Sequence, residues 1–345
     1  MLVMLNHAFP YAGLLYGDDS GFLTSFLHVI NTALAPLRME LMFLLSGIFV
    51  ERGLRKGIGI YFAGKVRNIA YPYVIWSLII FVLIKVGVLV KGENVEWVYL
   101  VRILLGSTVL TWFLCFLFLF YVAMLYVRRF PAVFVITGSL FLALCLPDEI
   151  SSMVIGYNEG FLSINDLFYY FIYFYIGDLL GLYGINKIKA DSNFLFLGSL
   201  ISLAILFFLS CSTSFSKTWP GYLPLVVIGL PAVFRASVIL SKSIFGTPLA
   251  YIGRNSIVFY LVHYPIYIVA GFVLKQCLVG VGYIYFIILM LGLMVSFCVS
   301  RLRVINPSSV DFLFAPDDIV RLWNKALYSK MLVKFRVGRS SGNGS

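Results

Sequence analysis

Three histidines are the scarcest acid–base groups in this 345-residue chain, and two of them, His7 and His263, fall inside apolar stretches. An ionisable side chain at lipid depth is costly to bury, so each one is a functional hypothesis. His7 follows Asn6 in MLVMLNHAFPYAGLLY, where a neutral imidazole can take a proton from an attacking hydroxyl. The competing reading is a hydrogen-bonded packing histidine. His263, in SIVFYLVHYPIY, precedes Tyr264 and Pro265, which predicts a kinked helix with a freed carbonyl in need of a donor and favours a structural role. His28 is expected in a polar loop before the second apolar stretch.

Four charged residues extend the set. Arg38 and Glu40 open PLRMELMFLLSGIFV, and a spacing of two puts them on different faces of a helix. Each must then find its own partner, either another helix or a substrate, with His7 as one candidate. Lys65 and Arg67 stand in YFAGKVRNIAYPYVIW, where cations can grip a phosphate-bearing donor or simply anchor a cytoplasmic loop.

The elements that must position these residues are membrane helices. With 61% hydrophobic and 12% charged residues the chain is too apolar for a soluble domain. A spanning helix needs roughly 20 mostly apolar residues. Apolar runs predict about ten spans, at 1–16, 33–50, 69–90, 108–127, 130–146, 164–183, 193–211, 221–240, 249–274 and 281–300. The fold class expected is all-α, a polytopic bundle. Of 26 basic residues, 20 fall on one side of this topology, including Arg52, Arg128, Lys187, Arg254 and the tail from Arg301 to Arg339. The positive-inside bias then places both termini in the cytoplasm. The net charge of +11 is this topological signature plus a basic tail suited to anionic lipid, and not a nucleic-acid footprint.

The organisation expected is one transmembrane domain, 1–303, followed by a basic cytoplasmic tail, 304–345. The first span begins at Met1 without a cytoplasmic flank, which suggests an earlier natural start. Five cysteines without CxxC spacing predict neither a disulfide frame nor a metal site. There is no GxxxxGK[ST] loop, no G-x-S-x-G elbow and no HExxH, which removes self-powered pumps, ordinary serine hydrolases and zinc proteases. Transferases of acyl or glycosyl groups remain, as do secondary transporters.

Six stretches, in order from residue 6 to 265, resemble the membrane acyltransferase-3 family. NHAF resembles its first-helix histidine and PLRMELMFLLSGIFV its second-helix signature. KVRNIAYPYVIW resembles the basic-to-proline junction, TWFLCFLFLFYV the tryptophan helix that starts at Trp112, YFYIGDLLG the F-x-x-G helix, and LAYIGRNSIVFYLVHYPI the late motif with Tyr260 and His263. The family places an arginine further upstream of its histidine than the six residues before His7 allow. It also carries an arginine pair where this chain has Lys65 and Asn68, with Arg67 one residue early.

The resemblance implies an integral enzyme that moves acetyl or succinyl from cytoplasmic acyl-CoA to a sugar or glycan hydroxyl. It makes His7 the catalytic base, with Arg38 and Glu40 orienting it or binding substrate. Lys65 and Arg67 would hold the CoA phosphates, and Asn6, Trp112, Tyr260 and His263 would contact substrate. No permanently bound cofactor or metal is implied. The bacterial inner membrane is the expected location, and a homodimer is compatible with the family. The rival expectation is a secondary transporter using His7, Arg38 and Glu40 at the bilayer midplane.

Overall fold

The computed structural model describes residues 2–8, 22–89, 97–104, 111–146, 164–183, 193–212, 221–274 and 281–315. Every element among them is helical. They run α1 (2–8), α2 (Phe22–Ala33), α3 (Ala35–Leu54), α4 (Ile58–Lys65), a π-helical turn (Val66–Ala70) and α5 (Tyr71–Leu89). Next come α6 (Val98–Leu104), α7 (Trp112–Val127), α8 (Ala132–Cys145), α9 (Ile164–Tyr183), α10 (Asn193–Ser212) and α11 (Tyr222–Ser241). The chain closes with α12 (Gly246–Arg254), α13 (Ser256–Leu274), α14 (Val281–Ile305), α15 (Pro307–Val310) and a 3₁₀ turn (Asp311–Leu313).

Among the described residues, four helical segments are long and apolar enough to cross a membrane: Ile58–Leu89, Asn193–Ser212, Tyr222–Ser241 and Tyr283–Ile305. A fifth arises if Ser25–Ala33 and Ala35–Leu54, bent by 40° at the break between them, count as one span. The apolar helices α7 and α8 are shorter, and the expected 249–274 span is interrupted at Asn255, which separates α12 from α13. His28 lies in helix α2 and not in a loop, because FLTSFLHVINTA keeps apolar residues at helical spacing despite its polar members. The last span continues to Ile305, and residues 307–315 fold back instead of leaving as a free tail. There the Trp76 indole donates to the Leu313 carbonyl at 3.0 Å, the Tyr71 hydroxyl donates to that of Phe312 at 2.6 Å, and Phe314 is buried.

The bundle is apolar on its surface as well as in its core. Helix α10 turns Phe194 (83% exposed) and Phe208 outward, as lipid requires, while α9 buries Tyr169, Tyr170, Tyr173, Tyr175 and Asp178. Hydrophobic burial does not drive helices together in lipid, so close packing and polar contacts must. The α3–α9 crossing supplies both. A Cβ added at Gly47 would lie 2.0 Å from the Phe174 carbonyl oxygen, and one at Gly177 would lie 2.0 Å from that of Leu44. Gly181, four residues on, meets the Ile48 carbonyl in the same way, at 2.5 Å. Only glycine at these positions lets the two backbones touch. At the end of the same crossing Arg128, at the C-terminal cap of α7, reaches Asp178 through Nε (2.8 Å) and Nη2 (2.5 Å) and Glu51 through Nη1 (2.7 Å), tying three helices together.

Around this pair the aromatic rings form one core. Phe43 packs on Phe113 (4.7 Å between centroids), Phe120 (5.1 Å) and Tyr170 (5.1 Å). A second, smaller core gathers Met4 and Ala8 of α1 with Phe259, Tyr267, Ile284 and Tyr285 of α13 and α14. Val3 belongs to the larger core, so α1 sits at the seam between the two.

The glycine crossing makes a paired prediction. Gly177→Ala should destabilise the protein by about 1–3 kcal/mol through overpacking. Gly198→Ala, where a Cβ meets nothing within 4 Å, should be neutral or gain up to about 1 kcal/mol from helix propensity. Melting curves of the two purified variants in detergent read the difference, and equal melting temperatures would remove the argument.

Candidate active site

His7 and His263, 256 residues apart in sequence, meet in the interior: His7 Nδ1 lies 3.0 Å from His263 Nε2, and the rings stack with centroids 5.2 Å apart and planes 14° from parallel. Both are buried, at 8% and 0% exposure. The pair carries an unambiguous polarity. His263 Nδ1 is 2.8 Å from the Phe259 carbonyl, which can only accept, so Nδ1 bears the proton. Neutral His263 then presents a lone pair at Nε2, and His7 Nδ1–H donates to it. The lone pair of His7 is left on Nε2, the atom that can act as a base. Phe259 is one turn before His263, and its carbonyl is not the one Pro265 frees, which belongs to Leu261. The expected structural bond of His263 is therefore present in altered form, and its other nitrogen meets a partner 256 residues away, beyond the reach of any local pattern.

Two tyrosines hold helix α1 against the bundle. The Tyr267 hydroxyl donates to the Met4 carbonyl at 3.3 Å and the Tyr285 hydroxyl to the Leu5 carbonyl at 3.1 Å. Gly292 makes room for the first of them, since a Cβ there would stand 2.3 Å from the Tyr267 ring. Tyr264 adds an edge-on contact to the His7 ring at 5.5 Å.

Arg38 and Glu40 are both buried and diverge, as their spacing requires. Arg38 donates through Nη2 to the Asn31 carbonyl and, at 2.6 Å, to Asn31 Oδ1. Asn31 Nδ2 in turn donates to Asn6 Oδ1 at 3.2 Å, so a polar string runs from α3 through α2 to the residue preceding His7. Arg38 Nε is buried with no hydrogen-bond partner among the described residues. Such an orphaned donor is unusual and needs a reason. On the opposite side Glu40 Oε1 stands 3.5 Å from the Tyr169 hydroxyl, which bonds that of Tyr173 at 2.7 Å, and Tyr222 hydrogen-bonds Glu40 as well.

The remaining expected residues are distributed around this centre. Tyr260 is buried one turn before His263, its ring 5.4 Å from Phe113 and 6.1 Å from the imidazole. Trp112 packs among Phe43, Phe116 and Tyr170 in the large aromatic core. The Lys65 ammonium sits 3.4 Å from the centroid of the Tyr121 ring, and Arg67 Nη2 donates to the Ala315 carbonyl at 3.5 Å. Asn31, Tyr267 and Tyr285 are absent from the sequence-derived set. Asn31 carried a signal, as an amide seven residues before a buried arginine, whereas the two tyrosines are indistinguishable by type from the other twenty of the 22 in the chain. Among the described residues no cluster of three or more His, Cys, Asp or Glu is placed to hold a metal ion.

A protein-family sequence model described as an acyltransferase domain, the third of that name, matches residues 1–301. Neither the comparison with curated proteins nor that with solved structures found a match.

The tautomer assignment is open to direct measurement. In protein labelled with ¹⁵N-histidine, His7 should show a protonated Nδ1 and an unprotonated Nε2, with assignment from His28→Gln and His263→Gln. A protonated Nε2 on His7 at neutral pH would reverse the polarity argued from the Phe259 carbonyl.

Proposed function

The chain belongs to the membrane acyltransferase-3 family and is an acyltransferase, and from that premise we propose that it moves a short acyl group from cytoplasmic acyl-CoA to a hydroxyl of a sugar or glycan. The observation that carries this reading is the His7–His263 pair with its base directed to His7 Nε2. Acyl transfer to a hydroxyl requires one group to accept the hydroxyl proton as the oxygen attacks the thioester carbonyl. His7 Nε2 takes that proton. The tetrahedral intermediate collapses, the C–S bond breaks, and the proton passes to the departing thiolate of CoA.

His263 is a positioning residue in this scheme. It fixes the tautomer of His7 and accepts its Nδ1–H, so positive charge developing on His7 is shared with a neutral imidazole and not with water. The unpartnered Nε of Arg38 is a donor available to a substrate oxygen, either the carbonyl as it becomes an oxyanion or a hydroxyl of the acceptor. Glu40, within its cage of tyrosine hydroxyls, orients the acceptor side. Asn6, Trp112 and Tyr260 are assigned to contact substrate, and Tyr260 lines the cavity that reaches His263. Basic residues at the cytoplasmic ends, Lys65 and Arg67 among them, hold the CoA phosphates.

In this reading the chain crosses the bacterial inner membrane about ten times with both ends in the cytoplasm, so the donor enters from the side where the basic residues lie. The shorter apolar helices α7 and α8 count as spans in this reading.

The test is transfer of radiolabelled acetyl or succinyl from its CoA thioester to glycans, in membranes carrying the chain. His7→Ala should lower the rate by about 10²–10⁴-fold, the usual worth of a positioned base. His263→Ala should lower kcat and shift its pH profile while leaving KM for the donor unchanged. Transfer that survives His7→Ala would overturn the assignment. If no acyl-CoA supports transfer, the transporter reading takes its place, tested by solute flux in sealed vesicles.

A further inference from the structure

Beside the histidine pair lies a cavity of about 190 Å³, walled by α1, α3, α12 and α13. Its lining includes Met4, Met42, Gly253, Ser256, Tyr260 and His263, and the other wall residues are apolar. His263 is fully buried at one end, while Gly253 and Ser256 are exposed at the other. Along α13 these ends are separated by the seven residues from Ser256 to His263, about 10 Å of helix. The cavity is thus a short blind passage that begins at the α12–α13 break and ends on a ring hydrogen-bonded to His7. Arg254 stands at the mouth, next to Gly253 and exposed.

Size and chemistry both constrain an occupant. The volume is well below the roughly 300–1,000 Å³ of pockets that engulf a drug-sized ligand, so neither a nucleotide nor a long fatty chain fits. No charged side chain lines it among the described residues. A carboxylate buried there would lose its water and gain no counter-ion, a penalty of several kcal/mol. An acetyl or propionyl group carries no such cost and gains the contacts of two methionines.

We infer that this cavity is the acyl subsite of the transferase and that it selects short, uncharged acyl groups, taking acetyl or propionyl and rejecting succinyl. The inference rests on the transferase reading and narrows it, since that reading leaves acetyl and succinyl equal. The mouth fits the same assignment: Arg254 is placed to meet a phosphate of the donor whose acyl end has entered. The pantetheine thioester then lies between the mouth and the histidine pair, and its carbonyl carbon is the atom attacked by the acceptor oxygen as His7 takes the proton.

Met42 on α3 controls the width, since it stands in the wall opposite α13.

The experiment compares kcat/KM for acetyl-, propionyl-, butyryl- and succinyl-CoA with the purified full chain in lipid nanodiscs, using membrane glycan as acceptor, in three forms: unaltered, Met42→Phe and Met42→Ala. Succinyl-CoA should be at least 100-fold poorer than acetyl-CoA. One methylene in an apolar pocket is worth about 10–200-fold. Met42→Phe should therefore lower the propionyl-to-acetyl ratio at least tenfold, and Met42→Ala should raise the butyryl-to-acetyl ratio by a similar factor. Because each readout is a ratio within one protein, partial loss of folding in a variant does not affect it. Succinyl turnover equal to acetyl, or ratios unmoved by both substitutions, overturns the subsite while leaving the transferase reading intact. Absence of turnover with all four donors overturns the transferase reading itself.

Discussion

The contact of backbone on backbone between α3 and α9 is the constraint on which the other parts of the molecule depend. Gly47, Gly177 and Gly181 bring carbonyl oxygens of each helix to where a Cβ would otherwise stand. Two helices held this closely cannot rotate about their axes without collision. That matters because α3 carries Arg38 and Glu40 on divergent faces, so a rotation that favoured one would misplace the other. The Arg128 bridge to Glu51 and Asp178 acts at the end of the same crossing. Asp178 is almost wholly buried, so most of the Coulombic gain of the bridge is offset by desolvation. Its contribution is to registry: loss of one partner would strand a buried charge at a cost of about 3–5 kcal/mol, which penalises any slip between α3, α7 and α9.

A second constraint starts from the Phe259 carbonyl. Because a carbonyl cannot donate, it determines the protonated nitrogen of His263, and His263 determines that of His7. Proton positions that are usually a matter of choice follow here from one backbone acceptor. The arrangement lasts only while α1 stays in place. Its carbonyls are held by Tyr267 and Tyr285 from two other helices, and Gly292 leaves space for the first ring. The position of His7 thus depends on groups of α13 and α14 as much as on α1.

Long uniform apolar runs were legible in the sequence almost to the residue: 164–183, 193–211 and 221–240 are helices α9, α10 and α11. Where polar residues interrupt the pattern, legibility falls. FLTSFLHVINTA resembles a loop in composition, yet Phe22–Ala33 is helical, since Asn31 has a use inside the bundle as the link between Asn6 and Arg38. The break at Asn255 has its own signal, the polar run GRNS at 253–256 inside the apolar stretch. For the site, residue type identified His7, Arg38 and Glu40 as costly and in need of partners, and spacing separated the last two. What spacing cannot supply is a partner 256 residues away, and so the bond from His7 to His263 was out of reach. The same limit applies to Lys65, whose position among basic residues suggests a phosphate while its ammonium lies on the Tyr121 ring.

The pairing of an early histidine with a late one also constrains when the site can exist. Residues 2–8 precede in the chain every group that orients His7: Asn31, His263, Tyr267 and Tyr285. In a membrane, helices insert and then associate, and association depends on packing partners being present. Until α13 and α14 are in place, His7 has neither its tautomer nor its helix secured, and the cavity that ends on His263 lacks a wall. The surroundings of His7 are therefore complete only once the chain has been made through α14.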